Sequence, residues 1–245
     1  MSENTLHLRT LAALAVQLRY LTYFTFFTIS LLGKTEVPTN NDSHEAHLLL
    51  RLFTPVLKAT VAKLGVGFLS ECMECLGGQG YVEEGGIAVI YRDIQVNAIW
   101  EGTTNVLASD MLRVLRGKSG PATIDALDRY MSSSFSEASK CAKFGDFPQQ
   151  FARIYQEWRG KMMSGSSGIV ESHARELAIW LGRTIGVTEM MRNAASDGDD
   201  VEIECCKRVF DSKNHGWEDD VAKTAEWDRR IVFGDDITRP VEAKL

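Results

Sequence analysis

The sequence predicts an all-α fold, a helical bundle continued by a helical C-terminal extension. Apolar residues recur at three- and four-residue spacing along most of the chain, and the period-two alternation of strands is nearly absent. Only five prolines interrupt the 245 residues. Chain-breaking residues concentrate at a few points, of which Gly117-Lys-Ser-Gly-Pro121 is the sharpest.

Leu8, Leu11, Leu14, Leu18 and Leu21 lie at helical spacing in a first helix over 5–33, with Gly33 as its expected stop. Lys34 to Asn41, containing Pro38, reads as a linker. Asp42 or Ser43 can cap a second helix, and Glu45 suits its positive N-terminus. That helix runs towards Leu76 with an expected kink at Pro55, and Gly77-Gly78-Gln79-Gly80 ends it. A short helical stretch covers 87–93. Thr103 or Thr104 can cap a helix reaching Leu115, whose apolar face is Leu107, Met111, Leu112 and Leu115. Beyond Pro121, helices are expected over 121–144, 148–163, 169–196 and 199–212, followed by a tail with Trp217 and Trp227. The break near 118 divides the chain into a bundle, 1–117, and an extension, 118–245.

Net charge is −6, with 9 basic and 11 acidic residues over 1–117 and 18 and 22 in the remainder. Neither segment is a basic module, which argues against nucleic acid or an anionic membrane as partner. The uncharged run Leu21–Leu32 falls well short of the roughly 20 residues that span a bilayer. It reads as a buried core helix, and no membrane span is expected. Met-Ser-Glu-Asn at the start carries neither a basic signal-peptide region nor an Arg-rich transit pattern. The five cysteines, Cys72, Cys75, Cys141, Cys205 and Cys206, are an odd count suited to free thiols in a reducing intracellular compartment, mitochondrial matrix or cytoplasm. Cys72-Met-Glu-Cys75 lacks a second ligand pair at zinc spacing and reads as two small apolar residues on a helix. His44 and His47 likewise lack a third ligand, so no metal site is expected. Met162-Met163 and Met190-Met191 read as core residues.

Two segments carry chemistry. Leu76-Gly-Gly-Gln-Gly-Tyr81 is either an ordinary helix-ending turn or a turn whose exposed amides face a phosphate or a neighbouring chain. In Ile99-Trp-Glu-Gly-Thr-Thr-Asn105, Glu101 sits just before a helix start, either as a favourable charge at the helix dipole or as a working carboxylate between Trp100 and Gly102.

In this order and separation, the run Glu71-Cys-Met-Glu-Cys-Leu-Gly-Gly-Gln-Gly-Tyr81, then Tyr91-Arg-Asp93, then Ile99-Trp-Glu-Gly-Thr-Thr104 resembles the C-terminal signature of the acyl-CoA dehydrogenases, most densely over 68–116. Trp100 and the helical extension look more like the AidB-type and long-chain branch than the medium-chain enzymes. The resemblance implies FAD as cofactor, bound between a middle β-domain and this bundle, and an acyl-CoA substrate, tilted towards longer acyl groups. Glu101 matches the catalytic base. Trp100 and Gly102 match substrate-side positions, and Thr103, Thr104 and Asn105 match FAD contacts. Gly77 and Gly78 match a turn that touches the adenosine-diphosphate part of FAD held by a neighbouring subunit. Arg92 and Asp93 match an Arg-Asp pair, read here as an ion pair within the bundle. Glu74 stands where the family often has Gln, which puts a pyrophosphate contact there in doubt.

No β-rich segment occurs in the 245 residues, so the resemblance also implies a bundle incomplete at its N-terminus and a partial site. Two functions follow: part of an FAD-dependent acyl-CoA dehydrogenase, or a non-catalytic helical assembly module that joins a homo-oligomer or a full-length homologue.

Overall fold

The structure, a computed structural model, describes residues 4–37, 42–210 and 221–234. These form eleven α-helices and two 3₁₀ turns, with no strand among the described residues. The helices are α1 (Thr5–Glu36), α2 (Asp42–Cys75), α3 (Gly78–Tyr81), α4 (Ile87–Asn97), α5 (Thr104–Arg116), α6 (Gly120–Ala138), α7 (Phe147–Ser164), α8 (Ser167–Ser172), α9 (Ala174–Asp197), α10 (Asp200–Phe210) and α11 (Val221–Phe233).

The all-α reading holds, with shifted ends. α1 continues past Gly33 to Glu36, because a helical glycine costs only about 1 kcal/mol and breaks no hydrogen bond. The constraint comes instead from Pro38, which drives the residue before it out of the helical region; Val37 has φ −118° and ψ 77°. α2 runs as one helix through Pro55. The expected helix 121–144 ends at Ala138, and Ala142–Phe144 forms a 3₁₀ turn before Gly145 at φ +56°. The expected helix 169–196 breaks at His173, between α8 and α9. Trp217 lies outside the described residues. Trp227 on α11 packs half-buried against the body, with the Arg230 guanidinium 4.3 Å from its ring centre.

Two apolar clusters form the core. One joins Phe24 of α1, Leu52 and Phe53 of α2, Met111 of α5, Met131 of α6, Tyr155 of α7 and Leu181 of α9. The other joins Tyr20 of α1 and Met190 of α9 to Phe151, Ile203, Cys205, Cys206 and Ile231. α1 and α9 belong to both, so residues on either side of Gly117 share their cores. α9 approaches closely because it presents glycine at the crossings: a Cβ on Gly182 would stand 2.2 Å from Thr60 Oγ1, and one on Gly186 2.3 Å from the Tyr20 carbonyl.

Over Ser43–Cys75, α2 is long and apolar enough to cross a membrane by length and composition, although the uncharged run at Leu21–Leu32 draws attention first. Here α2 is a core helix that packs on α1, α4, α5, α6 and α9, with 39% of its most apolar window buried. Its apolar character serves several partners at once. Arg51 of α2 grips Asp110 of α5 through two hydrogen bonds, at 2.8 and 2.9 Å. Those bonds hold the Asp110 carboxyl below its ordinary value.

Gly186→Ala should cost about 1–3 kcal/mol in urea unfolding, despite alanine's better helix propensity, because a backbone carbonyl cannot move aside. Gly182→Ala should cost a comparable amount, since Thr60 Cβ, 2.9 Å from the added methyl, stays in place when the hydroxyl rotates. Because the Asp110 pKa is depressed in the fold, the stability from its ionised form is present above the ordinary value of 3.8 and is lost as pH falls through the lower folded value. Urea midpoints measured from pH 7 down to pH 2 should therefore fall less steeply on the acid side for Asp110→Asn than for the unaltered chain.

Candidate active site

The segment between α4 and α5 carries the candidate chemistry. α4 ends with Ala98 N–H donating to the Gln95 carbonyl at 3.2 Å and Trp100 N–H donating to the Val96 carbonyl at 3.0 Å. The Trp100 indole N–H donates to Asn97 Oδ1 at 3.1 Å, which fixes the ring over the helix end while leaving it 57% exposed. Glu101 follows at φ +52°, the only non-glycine residue with positive φ among the described residues. For a residue with a Cβ this conformation costs about 1–2 kcal/mol. A strained carboxylate in an exposed turn is the kind of outlier that points to function. Gly102 at φ +103° completes the reversal, where a Cβ would also press on Leu107 at 3.3 Å.

Thr103, extended at φ −67° and ψ 164°, is the N-cap of α5. Its side chain makes no capping bond, so the first-turn amides of α5 keep their donors. Thr103 and Asn105 are exposed, whereas Thr104 is buried. Asn105 Oδ1 accepts from Arg175 Nη1 at 3.2 Å, a link from α9. Lys58 of α2 donates to the Trp100 carbonyl at 2.7 Å and also to the Gly102 carbonyl. Sequence reasoning missed Lys58 and Arg175. For Lys58 the signal was a charge inside the apolar run Thr54-Pro-Val-Leu-Lys-Ala-Thr60; for Arg175 there was none.

The glycine turn lies elsewhere. Gly77 has φ +60° with open space where a Cβ would stand, and Gly78 begins α3. The steric demand in the run falls on Gly80, which is buried and whose Cβ would stand 2.2 Å from the Met73 carbonyl. At about 1.5 Å per residue, the end of α2 is about 25 Å from Lys58. The structure thus gathers Trp100 to Asn105 on one turn and sets Gly77 and Gly78 at the far end of the helix that supports it.

Arg92 of α4 pairs with Glu83 of the preceding 3₁₀ turn at 2.7 Å rather than with Asp93, and the pair is largely exposed, where it adds little stability. Cys72 and Cys75 are half-buried free thiols, and burial pushes both above the ordinary thiol value, away from nucleophile or ligand behaviour. No group of three or more His, Cys, Asp or Glu residues among the described residues could hold a metal ion.

The exposed surface fits part of a flavin nucleotide's needs. Thr103, Asn105 and the open amides of α5 are donors suited to a polar, anionic ligand, and Gly77 leaves its backbone accessible.

The family model for the acyl-CoA dehydrogenase C-terminal domain matches residues 2–116. The chain is 32% identical to acyl-CoA dehydrogenase family member 11 of Caenorhabditis elegans, over 98% of this chain and 40% of that protein. It is 48% identical to the putative acyl-CoA dehydrogenase AidB of Escherichia coli, over 48% of this chain and 20% of that one. A crystal structure of Caenorhabditis elegans ACDH-11 in complex with C11-CoA superposes with a TM-score of 0.69 at 29% identity, covering 97% of this chain and 41% of that one. The chain therefore spans well under half the length of these relatives. With Trp100 to Asn105 gathered on the α4–α5 turn of an all-helical bundle, residues 2–116 match the C-terminal domain of the acyl-CoA dehydrogenase family.

Proposed function

We propose that this chain forms the base-bearing wall of an FAD-dependent acyl-CoA dehydrogenase site, with Glu101 as the base. The observation that carries the reading is the strained, exposed Glu101 turn at the start of α5, flanked by Trp100 and Gly102. A Glu101 carboxylate oxygen removes the α-proton of the acyl-CoA thioester. The Cα–H electron pair becomes the new Cα=Cβ bond as the β-hydrogen leaves with its electrons. FAD, when bound, supplies the acceptor for that hydride. The Glu101 backbone N–H steadies the thioester oxygen as charge develops there. Gly102 lets the substrate approach the chain, and the Trp100 ring shields the carboxylate from water. Thr103, Asn105 and the open amides of α5, with the Thr104 backbone among them, would hold the cofactor. Gly77 and Gly78, about 25 Å along α2 from Lys58, would serve a cofactor held by a neighbouring copy. The relative solved with C11-CoA makes that thioester the first substrate to test.

The exposed apolar faces favour a second reading, as an assembly module. Leu18, Phe26 and Ile29 on α1 and Ile90 and Val96 on α4 are each at least 40% exposed. The two readings are compatible, because a shared site needs assembly.

Visible spectra after incubation with FAD and desalting, with the chain alone and mixed with a full-length relative, test the first reading. We expect retained flavin that C11-CoA bleaches, and a bleaching rate about 10²–10⁴-fold lower for Glu101→Gln. Bleaching unaffected by Glu101→Gln would remove Glu101 from the chemistry, and flavin retained in neither mixture would leave only the assembly role. For the second reading, sedimentation velocity should show dimers or larger species; a monodisperse monomer across micromolar concentrations would count against it.

A further inference from the structure

The Glu101 turn is supported from outside. Lys58 lies midway along α2 among buried apolar neighbours, Val56 and Ala59, and its ammonium reaches the carbonyls of Trp100 and Gly102, one on each side of Glu101. Neither carbonyl belongs to a helix, since α4 ends at Asn97 and α5 begins at Thr104. An ammonium has three rotatable donors and no acceptor, so a single group can satisfy both. In extended backbone, carbonyls two residues apart stand about 6.6 Å from each other. Two bonds of about 2.7 Å to one nitrogen require them within about 5.4 Å. The chain must contract between them, and the residues that contract are Glu101 at φ +52° and Gly102 at φ +103°.

We infer that Lys58 is the positioning residue of this site: by drawing the Trp100 and Gly102 carbonyls onto one ammonium, it holds Glu101 in its left-handed conformation with the side chain in the open. The catalytic meaning of this rests on the reading of Glu101 as base. Lys58 acts through backbone, so no side chain elsewhere in the turn can replace it. A guanidinium at 58 keeps the charge and several donors, and should restore much of the effect.

Amide hydrogen exchange of the full 245-residue chain tests this without cofactor or substrate. In Lys58→Met, exchange across 98–104 should rise at least about tenfold, while the α1, α2 and α9 amides and the urea midpoint change little. Lys58→Arg should recover at least half of that protection on a logarithmic scale. Unchanged exchange at 98–104 in Lys58→Met would overturn the inference. So would a rise spread equally over α2 and α5, the mark of a general packing role, or no recovery in Lys58→Arg. Where flavin bleaching by C11-CoA is observed, Lys58→Met should lower its maximal rate about tenfold, with half-saturation within twofold. If Glu101→Gln leaves bleaching unaffected, the reading of Glu101 fails while the exchange data still decide what Lys58 does to the turn.

Discussion

The close crossing of α9 over α1 and α2 is the constraint on which the rest of the molecule depends. Gly182 faces Thr60 and Gly186 faces the Tyr20 backbone, at separations where any Cβ would collide. Backbones that approach this closely bring both apolar clusters onto one helix, and interiors packed at crystal-like density do not tolerate slack at such a crossing. α2 is held between α1, α5 and α9, and its position sets that of Lys58. The extension thus bears on the Glu101 turn through packing, with one polar link added where Arg175 meets Asn105.

The turn itself departs from what local preference would choose. A glutamate in the left-handed region, an indole mostly in water and a helix start whose capping hydroxyl makes no capping bond are each unfavourable for a folded chain. Together they leave donors and a carboxylate facing outward from a rigid base. Such local inconsistency, surrounded by regular helices, is where a protein departs from its own stability rules for function.

The fold was legible because its helices are long and punctuated by few strong breakers. Leu107, Met111, Leu112 and Leu115 announced the face of α5, and Pro121 announced the start of α6. Gly33 misled, since glycine only weakly opposes a helix, whereas the residue before a proline is forced out of one. The site was legible as a motif: the Trp-Glu-Gly-Thr-Thr string is contiguous. Its support was not, because Lys58 and Glu101 are brought together by the packing of α2 and no local spacing encodes that. The Arg92–Asp93 reading failed for a related reason, as adjacent helical residues do not face each other, and Arg92 reached back to Glu83 instead. In the glycine run, the steric requirement at Gly80 depends on where the Met73 carbonyl ends up, which only the folded turn reveals.

The sharing of α1 and α9 by both clusters has an evolutionary side. A substitution at Leu181, in the extension, disturbs a layer that also seats Phe24 and Leu52 beneath the α5 helix. Selection on the packing at one end of the bundle therefore restricts which residues can vary at the other. The extension is bound to drift in step with the bundle, and exchanging it for the corresponding part of a distant relative would demand matching changes along α1 and α2.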